Sequence, residues 1–307
     1  MPLAIGLAGY GAVAAVHARR LPGISCVYGP NLGKAREFAR REGIAQAADR
    51  YEELLAASEA VIIASPSGCH FDQAREALER GVSVLVELPP CASEGEAQAL
   101  GEAAAKRGLT LRCAHTSRYL EPYRLIRRHV TGGLMGATQA VQYIRCLSPR
   151  QRSWEDDALL HHAAHPVDLF LDWFPGIEPV ASVACPPAAH RRDVCFLFRD
   201  ASGFPVSGFV SYSSRHLKAE LLVVGERYTL ATDGFSYVSR DGAEPLLEMD
   251  ATEAYEAAIG DQDAEFIEAC RGAPAGVPWP ETVKLLWTLD RLTALGASPG
   301  GRLAAPF

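Results

Sequence analysis

From residue 1 to about 117 the chain alternates short apolar runs with amphipathic stretches of helical spacing, and this alternation limits the fold more than any other feature. LAIGLAG, ISCVYG, AVIIAS, SVLVEL and LTLRCAH read as strands, with NLGKAREFARREG and FDQAREALERG among the helices between them. Strands separated by a helical crossover pair in parallel, so residues 1–117 are expected to form a parallel sheet covered by helices. After Arg118 the texture changes. One helix, EPYRLIRRHVTGG, precedes TQAVQYIRC, VASVACPP, DVCFLFRD, FPVSGFVSYSSRH, AELLVVGERYTLAT and SYVSRDG, which follow one another with turn residues and little helix. Helical spacing returns in DAEFIEACRG and WPETVKLLWTLDRLTAL. Residues 118–307 are therefore expected to form an α+β domain on an open, mostly antiparallel sheet, which makes the whole chain α/β in class.

A length of 307 residues suits two domains, and 48% hydrophobic with 22% charged residues is ordinary globular composition. No apolar run is long enough to span a bilayer, and Met1 leads into PLAIGLAG with neither a charged leader nor a cleavage pattern, so a cytoplasmic protein away from membranes is expected. The eight cysteines are scattered without a CxxC pair and read as small core residues in a reducing compartment. A formal net charge of -7 argues against nucleic acid as a partner, and an anionic small molecule would need a local group of arginines.

GYGAVA, Gly9 to Ala14, follows the first strand and opens a helix. In a G-x-G-x-x-A loop the first glycine makes the tight turn, the second lets backbone approach a pyrophosphate, and the small third residue allows close helix packing. The helix amides then face the anion. A Rossmann domain with a dinucleotide near Gly9, Gly11, Ala12 and Val13 is expected. The acidic residue that would bind the ribose 2'-hydroxyl should end the second strand, and Gly29 stands there. Nothing at that position repels a 2'-phosphate, and Asn31, Lys34 or Arg36 can approach one. NADP is favoured over NAD, with NAD also accommodated.

The order of motifs resembles the glucose-fructose oxidoreductase/inositol dehydrogenase (Gfo/Idh/MocA) family. The matching positions are Gly9, Gly11, Ala14 and His17; Ala64, Ser65, Pro66 and His70; a strand end at Glu87 and Pro89; His115, Arg118, Tyr119 and Pro122; and Leu159, Leu160, His165 and Asp168. The resemblance implies an NAD(P)-dependent dehydrogenase acting on a CH–OH group, with Ser65, Pro66, His70, Glu87 and Leu88 joining the cofactor site. It also implies association into homodimers or homotetramers. His17 and His70 fit either helix packing or cofactor contact, and Pro89 either a cis or a trans peptide. Two positions depart from the family pattern. The lysine assigned a catalytic role in E-K-P is Leu88, and the aspartate four residues before the family histidine is His161. Within the family, RSWEDDALLHHAAHPVDLF, VELP, AHTSRY and GDQDAEFIEA are similar to the 4-carboxy-2-hydroxymuconate-6-semialdehyde dehydrogenases, which also lack the lysine and carry the HHAAH cluster. That likeness implies NADP-dependent oxidation of a cyclic hemiacetal to a pyrone dicarboxylate lactone in aromatic ring-cleavage catabolism.

On a regular helix His161 and His165 share a face, and His162 points about a third of a turn away. A zinc site would find two ligands in H-x-x-x-H but no evident third, so no metal is expected. His162 taken alone also fits a satisfied core histidine. An imidazole that titrates near working pH suits removal of a hydroxyl proton, and with no lysine present His165 is the expected base, with His161 or His162 positioning it or the substrate. Asp168 is expected to orient His165 or to cap a neighbouring group. The substrate side is assigned to His115, Arg118, Arg152 and Trp154, with Arg145 a further candidate; forked guanidinium donors suit a carboxylate and an indole can wall a planar ring. For Arg145 and Arg152 ordinary surface charge is the alternative. GDQD, Gly260 to Asp263, reads as a helix cap. Two other functions stay open at this stage: a sugar or cyclitol dehydrogenase using histidine in place of lysine, and a noncatalytic dinucleotide sensor.

Overall fold

The computed structural model describes residues 3–148, 157–187 and 190–297. The chain divides into two compact units, the first running to Thr116 and taking in Glu256–Leu286, the second comprising Ser117–Tyr255 and the chain from Trp287 onward. The change of texture after residue 117 places residues 256–286 in the second domain, whereas in the structure Glu256–Leu286 pack with the first.

The first unit holds strands β1 (Ile5–Ala8), β2 (Ile24–Tyr28), β3 (Gln46–Ala48), β4 (Ala60–Ile63), β5 (Ser83–Glu87) and β6 (Leu111–Ala114). Helices α1 (Ala12–Arg20), α2 (Leu32–Glu42), α3 (Tyr51–Ala56), α4 (His70–Glu79) and α5 (Glu94–Arg107) alternate with them. The sheet is parallel throughout, in the order β3-β2-β1-β4-β5-β6. Strands covered on both faces should be apolar throughout, and all four residues of β1 and of β4 are buried. The core joins Leu7, Val27, Ile62 and Leu85 to Phe266 and Ile267, which lie on the helix Ala251–Cys270. Thr110 Oγ1 donates to the Ala269 carbonyl and Trp279 Nε1 to the Ala97 carbonyl, so polar contacts as well as apolar ones bind that segment to the first unit.

The second unit adds α6 (Glu121–Thr131), β7 (Thr138–Cys146), α7 (Ala164–Trp173), β8 (Glu178–Cys185), β9 (Asp193–Arg199), β10 (Pro205–Ser211), β11 (Lys218–Gly225), β12 (Thr229–Thr232), β13 (Tyr237–Arg240) and β14 (Glu244–Glu248). Helices α8 (Ala251–Cys270) and α9 (Trp279–Ala297) complete the chain. The sheet order is β14-β13-β12-β11-β7-β10-β9-β8, and only β7 with β10 is parallel. It is therefore open and mostly antiparallel. On β9, Val194, Phe196 and Phe198 are buried while Cys195 and Leu197 are exposed, the two-residue alternation of a sheet covered on one face. Among the described residues, no helix is long and apolar enough to cross a membrane.

Candidate active site

Strand order reverses between β1 and β4, and in such sheets ligands bind at the carboxyl ends of the strands beside the reversal. Three expected segments meet that edge: the glycine loop after β1, Ser65–Pro66 after β4 and Glu87–Pro89 at the end of β5. Gly9 has φ +121°, and a Cβ there would lie 2.3 Å from the Ala64 carbonyl oxygen, so only glycine fits. At Gly11 a Cβ would meet nothing within 4 Å, leaving the backbone open to approach. Gly11 caps α1 without a side-chain hydrogen bond, and the first turn of α1 carries no acidic residue. The helix amides are thus left to an outside acceptor, and the cradle fits a pyrophosphate. Ala12 is exposed and Val13 half-buried at this end, and Leu88 is half-buried after β5. At the end of β2, Gly29 is buried, while exposed Asn31 caps α2 by accepting from the Lys34 amide at 3.0 Å.

Two buried imidazoles brace this edge from beneath. His70 joins the turns after β4 and β5, its Nδ1 2.7 Å from the Pro89 carbonyl and its Nε2 2.8 Å from the Ser65 carbonyl. Two carbonyl acceptors are both satisfied only when both ring nitrogens carry protons. Leu88–Pro89 is cis, settling the open choice at Pro89. His17 of α1 lies between Asp263 Oδ2 at 2.7 Å and Glu87 Oε1 at 3.0 Å, with Asp263 fully buried and Glu87 17% exposed. Burial alone would lower the imidazole, but attraction and hydrogen bonding from Asp263, then Glu87, overcome it and hold His17 up to about 10. Burial raises the Asp263 carboxyl against the pull of His17, so desolvation opposes charge on both partners. The state that satisfies both ring nitrogens is a protonated His17 facing two carboxylates. Asp263 is therefore an ion-pair partner in the middle of α8, not the helix cap that GDQD suggested; α8 starts nine residues before Gly260.

In the second unit the histidine stretch is not one regular helix. Ala158–Ala163 form a wide π-helical turn that passes into α7. Pro166 accounts for it: proline offers no N–H to the carbonyl four residues back, and its ring crowds that carbonyl. Asp157 anchors the turn, its Oδ1 accepting from the Leu159 and Leu160 amides at 3.0 Å and its Oδ2 from Arg191 Nε at 2.8 Å. The widening changes which histidines meet. His161 turns back, its Nδ1 3.1 Å from the Asp157 amide and 3.0 Å from the Asp157 carbonyl. The His162 and His165 ring centroids are 6.5 Å apart, with the ring planes inclined at 67°. His162 Nδ1 is 2.5 Å from the Tyr212 hydroxyl, and His165 Nδ1 is 3.4 Å from Ser117 Oγ. The turn thus brings His162 to His165. The array Ser117, His165, His162 and Tyr212 offers two imidazoles and two hydroxyls for proton transfer.

Arg118 grips Asp168 with both prongs, Nε at 2.9 Å and Nη2 at 2.6 Å, and Nη1 lies 3.4 Å from Asp172. Its fork is committed inside the protein, so Arg118 positions α7 and is not an open donor for a substrate carboxylate. His115 is buried in the first unit with Nε2 2.9 Å from Thr282 Oγ1, a bridge between β6 and α9 and not a surface offered to substrate. Arg145 lies on β7 with its guanidinium 5.2 Å from the Phe235 ring centroid. Arg152 and Trp154 lie outside the described residues. No group of three or more His, Cys, Asp or Glu among the described residues is placed to hold a metal ion. Sequence reasoning missed Asp157, Arg191 and Tyr212. Of these only Asp157 carried a local signal, a carboxylate two residues before Leu159 in cap position.

Residues 3–115 match a family model described as an oxidoreductase family with an NAD-binding Rossmann fold. A 4-carboxy-2-hydroxymuconate-6-semialdehyde dehydrogenase from a Sphingobium species is 30% identical over 180 residues, 54% of this chain and 57% of that protein. Glucose-6-phosphate 3-dehydrogenase from Bacillus subtilis is 28% identical over 163 residues, 50% and 46% of the two chains. The chain thus spans about half the length of these curated relatives. In fold, the UDP-N-acetylglucosamine 3-dehydrogenase from Acidithiobacillus ferrooxidans superposes with a TM-score of 0.79 at 21% identity, covering 95% of this chain and 97% of that one. The glycine cradle, the motif order and these likenesses agree over the first unit: residues 3–115 form an NAD-binding Rossmann domain that matches the Gfo/Idh/MocA oxidoreductase model, and the fold as a whole resembles that of solved dehydrogenases.

Proposed function

We propose that this protein is an NADP-dependent dehydrogenase that oxidises a carboxylated hydroxymuconate semialdehyde, in its cyclic hemiacetal form, to a pyrone dicarboxylate lactone. The observation that carries this reading is the imidazole pair His162–His165, set between the hydroxyls of Ser117 and Tyr212, in a chain with leucine at the family's lysine position. The dinucleotide would be held by Gly9, Gly11, Ala12, Val13, Ser65 and Pro66, on a strand edge braced by His70 and Glu87. When bound, its nicotinamide supplies the hydride acceptor. Lactone formation breaks two bonds at one carbon centre: the hydroxyl O–H, whose proton goes to the His165 imidazole, and the C–H, which leaves with its electron pair as hydride. The new C=O balances both losses. His162, hydrogen-bonded to Tyr212, fixes the neighbouring ring and gives the proton an onward path. With Arg118 committed to Asp168, the two substrate carboxylates fall to Arg145 and Arg152.

The relative named as a semialdehyde dehydrogenase supports this substrate class, and the relatives named as sugar dehydrogenases support the alternative. Leu88 weighs against the sugar reading, because it removes the lysine expected there. We propose further that the protein associates into homodimers or homotetramers through the helix-free face of the second sheet, where exposed Val183 (70%) on β8 lies beside Cys195 on β9, with Leu197 further along that strand. The deciding experiment follows absorbance at 340 nm with purified protein, NADP or NAD, and ring-cleavage semialdehydes set against polyols and sugar phosphates. Reduction of NADP with a carboxylated semialdehyde is the expected result. Reduction only with polyols or sugars would overturn the substrate, and tight dinucleotide binding with no turnover on any of them would favour a sensor.

A further inference from the structure

The carboxylate absent from the end of β2 is absent for a steric reason. A Cβ built on Gly29 would lie 2.1 Å from Tyr10 Cε1, 2.3 Å from Cδ1 and 3.2 Å from Cζ, distances that leave no room for a side chain. The Tyr10 ring occupies the volume that any residue larger than glycine would enter. Its place is set by the backbone: Tyr10 sits between Gly9 and Gly11, and the Gly9 amide donates to the Tyr28 carbonyl at 2.8 Å, tying the loop to the residue just before Gly29. The ring also packs, partly buried, against the core of the sheet. With the Tyr10 ring in this place, an acidic residue does not fit at position 29.

We infer that Tyr10 is a specificity-determining residue for the dinucleotide. By filling the place of the acidic residue that would bind a free ribose 2'-hydroxyl, it keeps a carboxylate off the end of β2 and so selects a 2'-phosphorylated dinucleotide. The first turn of α2, just beyond, carries no acidic residue, and Lys34 and Arg36 on that helix are exposed. This inference rests on the dinucleotide reading above and names the residue that sets its preference.

The test is a fluorescence titration of NADPH and NADH on the full chain as wild type, Gly29→Asp, Tyr10→Ala and the double variant. Wild type should bind NADPH at least tenfold more tightly than NADH. Gly29→Asp should leave NADH binding unimproved while Tyr10 is present, and tighten it at least tenfold in the Tyr10→Ala background. An equal shift in both backgrounds, or a wild-type preference for NADH, would overturn the role of Tyr10 while leaving dinucleotide binding intact. Wild type binding neither nucleotide would refute the dinucleotide reading itself. A readout without nucleotide covers variants that fold poorly: Gly29→Ala should lower the melting temperature of the wild type, and the loss should shrink when Tyr10→Ala is present. The same loss in both backgrounds would overturn the interlock.

Discussion

Replacing Asp263 with asparagine keeps the shape of the buried His17 cluster and removes the carboxylate that dominates it. His17 is held at about 10 against an ordinary 6.5. Between those values the folded chain carries a proton the unfolded chain has lost, so the stabilisation is complete below pH 6.5 and declines as pH rises toward 10. The slope for one such proton is about -1.4 kcal/mol per pH unit, and across 3.5 units the contribution is capped at roughly 5 kcal/mol. Asp263, raised by burial, contributes with the same sign at lower pH, since a carboxyl that keeps its proton in the folded state destabilises that state once it ionises. In Asp263→Asn only Glu87 faces the ring, burial regains ground, and the declining limb moves to lower pH. Breaking the pair should also cost about 3–5 kcal/mol at pH 7. Urea denaturation at pH 6 to 9 and constant ionic strength, followed by far-ultraviolet circular dichroism, reads both effects. A wild-type profile that is flat from pH 7 to 9, or one parallel to that of Asp263→Asn, would refute the reasoning.

Further expectations follow from individual contacts. Asp168→Ala leaves Arg118, only 12% exposed, without its forked partner and should destabilise the second unit by about 3–5 kcal/mol in a denaturant titration. Gly9→Ala places a methyl group 2.3 Å from the Ala64 carbonyl at φ +121°; a cost of about 2–5 kcal/mol in thermal melts and a loss of NADPH affinity are expected. Tyr212→Phe removes the hydroxyl bonded to His162 and should lower kcat about tenfold, the equivalent of one hydrogen bond of roughly 1.4 kcal/mol, with KM nearly unchanged.

The parts of the fold legible in the sequence are those whose burial leaves a pattern. AVII and SVLVE, packed on both faces, showed as β-branched runs, and TQAVQYIRC fell on β7 with its observed bounds. QAA in β3 and EPLLE in β14 were missed: three residues with no β-branched side chain, and a short strand containing proline, resemble loops. AELLVVGERYTLAT read as a single run, yet it turns at Gly225–Tyr228 into β11 and β12. The site was legible where backbone geometry demands a residue type, as at Gly9. It was not legible where partners meet only in space. His17 and Asp263 are 246 residues apart in sequence, and nothing local marks either as the partner of the other. A spacing of 3.6 residues per turn puts His161 and His165 on one face, and Pro166 is the visible sign that the turn before it departs from that spacing.

The central claim is that an imidazole performs the proton transfer that leucine at position 88 cannot. Single-turnover absorbance at 340 nm on His165→Asn, with the carboxylated semialdehyde and saturating NADP, tests it most directly when paired with a fluorescence titration of NADPH. Reduction slowed by a hundredfold or more, with NADPH affinity within twofold of wild type, is the outcome the account predicts. A rate within a few-fold of wild type would contradict it.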